Sequence, residues 1–146
     1  MTTIVNKKAR FIYNLFEKFE AGISLLGGEV KAIRSGHADL SNSYAKIVAN
    51  EVFLINANIP VPGKKEYNST RTRKLLLHKG EVVSLQSKIG AKKLTLVPTK
   101  LYTKRHLVKV ELAIAKSKRE FEKKESIKKK DIEREIETEL KINSKF

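Results

Sequence analysis

Two periodicities run along the chain. From Ile4 to Phe19, Phe11, Tyr13 and Leu15 fall on one parity and Arg10, Ile12 and Asn14 on the other, a period of two that predicts a strand with basic and aromatic residues interleaved. After the apolar run Ile23 to Leu26 come Gly27 and Gly28. Val30 and Ile33 then stand three apart before Gly36, so EVKAIRSG predicts a short helix with a glycine terminator. Between Ser43 and Ile59 the β-rich runs YAKIVA and VFLINANI flank Asn50 and Glu51, which predicts a β-hairpin turning on that pair. Pro60 to Thr72 holds two of the three prolines, Gly63 and no periodic apolar pattern, and reads as a loop. Lys74 to Ile89 places Leu75, Val82, Leu85 and Ile89 at helical spacing and ends at Gly90, with Gly80 as its one blemish. Leu94 to Val97 and Leu107 to Ala115 predict strands. In the second, Val108, Val110, Leu112 and Ile114 point one way and Lys109 and Glu111 the other.

Short strands with one helix near the start and a longer one between strand groups suit a small closed or partly closed β-barrel better than a sandwich or a parallel sheet. The expected fold class is therefore mainly β with flanking helices, an oligonucleotide-binding type of barrel over residues 1–115. Residues 116–146 differ in kind: 7 of 31 are apolar, against 52 of 115 in the body, and there is no Gly or Pro. Glu120 with Lys124 and Glu125 with Lys129 favour a helix, yet Ile132, Ile136 and Leu140 make only a thin stripe. This tail is expected to be disordered alone and helical on a partner.

Charge then narrows the partner. The 146 residues carry a formal net charge of +15, with 20 basic and 8 acidic side chains in the body and 11 and 8 in the tail. A surplus of that size on a small domain self-repels until a polyanion neutralises it, and phosphate contacts with counterion release make RNA or DNA the natural partner. Nothing in the chain approaches the length of apolar residues a membrane span needs, and Lys7, Lys8 and Arg10 stand where a signal peptide would need an apolar run. A cytoplasmic protein that contacts no membrane is expected.

Catalytic chemistry has little to work with. There is no cysteine, and His37, His78 and His106 lie too far apart for a local ligand motif, so no metal and no cofactor is expected. Phosphate-binding, dinucleotide, nucleophile-elbow and zinc-protease motifs are all missing, and an enzyme is not expected. His78 with Glu81, and His37 with Asp39, are the only His and carboxylate neighbours worth noting. By contrast Lys7, Lys8, Arg10, Lys31, Arg34, Arg71, Arg73 and Lys74 recur at the edges of predicted elements, where side chains converge on a phosphate backbone. Tyr13 and Phe11 among them suit base stacking, or else the core.

Together these segments resemble one family. NKKAR at 6–10 with Tyr13, FEAGI at 19–23, GGEVKAIRSGHADL at 27–40, RTRKLLLH at 71–78, TLVP at 95–98, Leu101 and Tyr102, and KVELAIAKSK at 109–118 are similar to the SsrA-binding protein family, also called small protein B, the partner of transfer-messenger RNA in trans-translation. The resemblance implies a barrel that binds the tRNA-like part of that RNA and accompanies it into the A site of a stalled ribosome for rescue and peptide tagging; a monomer is expected. Carried over by position, the RNA-facing surface falls on Asn6, Lys7, Arg10, Tyr13, Glu20, Lys31, Arg34, Leu76 and His78, beside Arg71, Arg73 and Lys74. Glu20 would accept hydrogen bonds from a base edge or a ribose hydroxyl, or else serve an intramolecular ion pair. The tail, through Lys116, Lys118, Arg119, Glu122, Lys123, Lys124 and Lys128, would meet the decoding region and the empty message channel of the ribosome. Four segments depart from the family pattern. His37, Ala38 and Asp39 replace a usual Lys-Ala-Asn, Ser69 a usual Pro, Ser117 to Arg119 a usual Gly-Lys-Lys, and Glu122 to Lys124 a usual Asp-Lys-Arg. The rival reading is a ribosomal or rRNA-binding barrel protein, which would reside stably on all ribosomes.

Overall fold

Alternating burial along seven strands makes a curved antiparallel sheet that closes on itself. The computed structural model describes residues 2–92 and 94–118. In chain order it contains β1 (Thr3–Val5), α1 (Lys7–Ile12), β2 (Tyr13–Ile23), α2 (Gly27–Arg34), β3 (Tyr44–Val48), β4 (Glu51–Ile55), β5 (Arg73–Leu76), α3 (Lys79–Lys92), β6 (Thr95–Lys104) and β7 (Leu107–Ser117). The ring runs β6-β3-β4-β5-β2-β7 and returns to β6, with β1 added on the flank of β6. Two bulges bend the long strands enough to close it, one in β2 between Leu15 and Lys18 and one in β6 between Pro98 and Lys100. The second also accommodates Pro98, which has no N–H to give a ladder.

The inner face carries the core. Leu54, Leu75, Leu96, Leu101, Val110 and Leu112 pack in one cluster with Ala32 and Ile33 of α2 and Val82 and Leu85 of α3, so both longer helices close the barrel. As expected from its alternation, β7 buries Val108, Val110, Leu112 and Ile114. Ala113 and Ala115, on the opposite parity, are buried as well, and Ala115 forms a second small cluster with Ala9 of α1 and Val97. Alanine at 9 and 115 is what lets α1 lie close on the outside of the sheet.

Four local features differ from the sequence pattern. Residues 7–12 are the helix α1 rather than strand, because the Asn6 side chain caps it by accepting from the Ala9 N–H and Ala9 finds a surface to bury against. A few apolar residues next to a helix cap cannot report which period they follow. Arg73 to Leu76 are strand β5, and α3 starts only at Lys79, which leaves Leu75 in the sheet and Gly80 in the first turn of the helix. The β3–β4 hairpin turns on Ala49 and Asn50, both at positive φ (51° and 64°), with Val48 paired to Glu51, one residue earlier than expected. Finally, β6 reaches Lys104 and β7 continues through Ser117, past the expected end at Ala115. The expectations for Arg119, Glu122, Lys123, Lys124, Lys128 and the tail helix lie outside the described residues.

Candidate nucleic-acid interface

The twelve body residues proposed as RNA contacts divide into an interior group and several surface groups. Three bond inward. Asn6 is buried, and besides capping α1 its Nδ2 donates to the carbonyls of Leu40 (3.1 Å) and Pro98 (2.8 Å). Arg73 is 0% exposed. All of its nitrogens are engaged: Nε donates to Glu29 Oε2 (2.8 Å), Nη1 to the carbonyls of Ala57 and Arg71, and Nη2 to Tyr67 Oη and the Ser69 carbonyl. Arg71 donates to the same Glu29 through Nε and Nη2. Asn6 and Arg73 cannot offer an amide or a guanidinium to phosphate while the network stands, whereas Arg71, with 31% of its side chain exposed, keeps its Nη1 edge outside these bonds.

Glu29 organises that network from the first turn of α2. Its Oε1 accepts from the Leu26 N–H (2.8 Å), capping the helix, and its Oε2 lies 2.6 Å from the Tyr67 hydroxyl. Burial pushes its carboxyl up, but hydrogen bonds from Arg71, the Leu26 N–H, Tyr67 and Arg73 prevail and hold it at about 2. The loop over residues 60–72 is thereby tied to α2, and β5 is delivered to its place beside β2 and β4. Ser69, where a proline was expected, contributes its backbone: its carbonyl accepts from both the Ile59 N–H and Arg73.

Where β5 leaves this clamp, three expected contacts meet. Glu20, Leu76 and His78 line one open groove of about 450 Å³ together with Gly22, Leu77, Glu81 and Lys109. Leu76 is 54% exposed, an apolar platform without a cover. Gly22 faces it across the β2–β5 pair, and a Cβ there would come within 3.2 Å of the Leu76 Cβ, so glycine keeps the floor open. Glu20 is exposed on β2 and takes a hydrogen bond from the Tyr102 hydroxyl on its Oε2, with Lys104 Nζ at 3.8 Å. The Tyr102 bond, followed by Lys104 and Lys109, lowers its carboxyl pKa, so Glu20 is an acceptor at neutral pH. The intramolecular partner is thus a tyrosine as much as a lysine, and both contacts fall on one oxygen.

The remaining expected residues stand outside this groove. Lys7, Arg10 and Tyr13 belong to α1 and its end, where Tyr13 is half-buried against the Ala9, Val97 and Ala115 cluster and lines a 200 Å³ hollow with Lys8, Asn42 and Tyr44. Lys118 joins them, donating through Nζ to the Arg10 carbonyl, while Lys116 is exposed at the end of β7. Lys31 and Arg34 are exposed on α2, and Arg34 Nη2 donates to the His106 carbonyl. Lys74 points outward from β5 in an ion pair with Glu51. Phe11, the other stacking candidate, is half-buried beside them on α1.

The two His and carboxylate neighbours have backbone tasks. The Glu81 carboxylate accepts from the His78 N–H at the start of α3, and Asp39 accepts from the Ser41 N–H in a turn that lowers its pKa. Sequence reasoning missed Gly22, Tyr102 and Lys104 as neighbours of Glu20. The alternation of β7 did put Lys109 outside, but only the β2–β7 register sets Lys109 opposite Gly22. Among the described residues no group of His, Asp and Glu is placed to hold a metal ion, and no helix is long and apolar enough to cross a membrane.

A closed antiparallel barrel with cations on its outside and a groove that joins an ionised acceptor, an apolar platform and a lysine defines an RNA-binding protein of the oligonucleotide-binding barrel class. The chain belongs to the SmpB protein family, whose model matches residues 3–142. The SsrA-binding protein of Malacoplasma penetrans is 44% identical over 142 residues, covering 95% of this chain and 97% of that protein. That of Thermosipho africanus is 47% identical over 142 residues, covering 94% and 95%. Among solved structures, one described as "tmRNA-SmpB: a journey to the center of the bacterial ribosome" superposes with a TM-score of 0.68 at 40% identity, covering 87% of this chain and 95% of that one.

Proposed function

We propose that this chain is an RNA-binding factor of trans-translation, which binds the tRNA-like domain of transfer-messenger RNA and delivers it to the A site of stalled ribosomes. Its work is recognition and delivery, in the cytoplasm, rather than catalysis. The observation that carries the reading is the groove: of the surface expected from the family, Glu20, Leu76 and His78 come from β2, β5 and the residue before α3, yet they meet around one opening. An unstacked base can lie on Leu76 while Glu20 accepts from its edge or from a ribose hydroxyl, and Lys109 is placed for the adjoining phosphate. The cations of α1, with Tyr13, extend contact along the backbone, and the tail is left for the ribosome.

The test is to recover the tagged full-length protein from cells and sequence the RNA that comes with it. One long transfer-messenger species enriched over ribosomal RNA is the expected result. Ribosomal RNA alone, with the protein on all ribosomal fractions, would replace this reading with that of a resident ribosomal protein.

A further inference from the structure

The hairpin joining β6 to β7 turns on Arg105 and His106, at φ values of 50° and 68°. Lys104 is paired with Leu107, so this is a two-residue turn with both central residues left-handed. Such turns are best filled by Asn-Gly, because at positive φ a Cβ crowds the following carbonyl oxygen, a cost that glycine lacks and that asparagine offsets with a local hydrogen bond. The other two-residue turn, Ala49 and Asn50, keeps one residue suited to the geometry and carries no charge. At 105 and 106 the chain instead holds two bulky side chains, one a permanent cation and the other an imidazole, both exposed.

The surroundings add charge of the same sign. Arg34 Nη2 donates to the His106 carbonyl at 3.2 Å, so a guanidinium is docked on the side of the turn and retains its other N–H groups. Thr2 braces the pair: its Oγ1 donates to the Arg34 carbonyl, its N–H donates to Thr103 Oγ1, and its own carbonyl accepts from the Thr103 N–H. Lys31 is exposed one helical turn before Arg34. The carboxylate that the structure brings to this group is Glu20, 3.8 Å from Lys104 Nζ, and it is shared with the Tyr102 hydroxyl. The tip is thus a braced cluster of cations, continuous through Lys104 with the groove at Glu20.

We propose that Lys104, Arg105 and His106, with Arg34 docked beside them, form a clamp on the phosphodiester backbone of RNA next to the nucleotide held in the Glu20 groove. This rests on the RNA-binding reading above and adds residues to it. Arg105 and Arg34 supply planar forks of N–H donors that match phosphate oxygens, and His106 supplies a ring N–H. Asn-Gly in this turn would relax the backbone but replace the charged guanidinium fork with a neutral amide and remove the imidazole altogether.

That trade makes the test two-sided. In the full-length chain, Arg105→Asn combined with His106→Gly should raise the thermal midpoint, because the turn is relaxed. The same variant should bind a transcript of the tRNA-like domain about 5- to 10-fold more weakly at 0.1 M salt, with a log K against log salt slope shallower by about 0.7 to 0.9 for each phosphate no longer neutralised. Arg105→Gln, which keeps the strained turn and removes only charge, should show the weaker binding with an unchanged midpoint. Unchanged affinity and slope in both variants would overturn the clamp, and so would a loss of affinity matched by a fall in midpoint in both. If the unsubstituted chain itself bound the transcript no better than random RNA, the functional reading would fail and the clamp with it. A selective parent with equally selective variants would sink the clamp alone.

Discussion

Glu29 receives five hydrogen bonds where its side chain is shut off from solvent, from the Leu26 N–H, Tyr67, Arg73 and twice from Arg71. Its carboxyl stands at about 2 in the folded chain against an ordinary value of 4.5. A depressed folded pKa stabilises above the unfolded one, so this contribution is complete above about pH 4.5 and is lost as pH falls toward 2. It should amount to roughly 3 kcal/mol, read as unfolding free energy from denaturant titrations between pH 5 and pH 2. Glu29→Gln should remove that slope and cost about 3 to 5 kcal/mol at neutral pH, because the Arg73 guanidinium would stay buried without its counter-charge. A small, pH-independent loss would show that the network matters little. Glu20 is the opposite case, a carboxylate at the surface. Glu20→Gln keeps shape but trades an acceptor for a donor, and should weaken binding of transfer-messenger RNA more than of random RNA. Equal losses in a paired binding titration would assign Glu20 to its Tyr102 and Lys104 contacts alone.

At the scale of elements, β3, β4, β7 and α2 were legible because each carries its own period, with a stop such as Gly36 after Val30 and Ile33 in α2. The helix α1 was not, since six residues cannot form a stable helix by propensity and this one exists because Asn6 ties it to the sheet. The start of α3 was hidden for a related reason: Leu75 fits helical spacing with Val82, yet the clamp on Arg73 holds its segment extended against β2 and β4. These observations give Asn6 a role testable by two substitutions. Asn6→Asp keeps an oxygen to cap α1 but offers nothing to the Leu40 and Pro98 carbonyls, whereas Asn6→Ala loses both functions. Each should cost about 1 to 3 kcal/mol in equilibrium unfolding, with RNA binding reduced only as far as α1 loosens. Full stability of the Asp variant would mean that the two carbonyls need no donor.

For the molecule as a whole, charge pointed to a basic body and the strand pattern to a barrel, and Glu20, Leu76 and His78, singled out in the sequence, line one groove in the fold. The bonding of Arg71 and Arg73 to one buried carboxylate was not legible, because their partner Glu29 lies 42 and 44 residues earlier and a basic run reads the same whether it faces water or that carboxylate. The body also ends later than the composition suggested. Tyr13 pairs with Ser117, Asn14 with Lys116, and the Lys118 N–H donates to the Ile12 carbonyl. A chain ending at Lys118 should therefore melt close to the full-length protein and bind transfer-messenger RNA, yet fail to support peptide tagging on stalled ribosomes. A chain ending at Ala115 should be less stable and bind more weakly, since Tyr13 loses its ladder. Equal behaviour of the two in melting and RNA titration would put the end of the functional body at 115 after all.

The place of β7 also governs how the barrel is made. It is the last strand described, yet it lies between β2 and β6 and pairs with both along most of their length. During synthesis the earlier strands must wait for it, with β2 and β6 each presenting an open edge to any other extended chain. Pairing the beginning of a chain with its end is slow, since the loop between them must close before any contact repays it. A message cut short before β7 would therefore yield a chain with nearly the whole core sequence and no closed barrel, a natural substrate for proteases and a seed for aggregation.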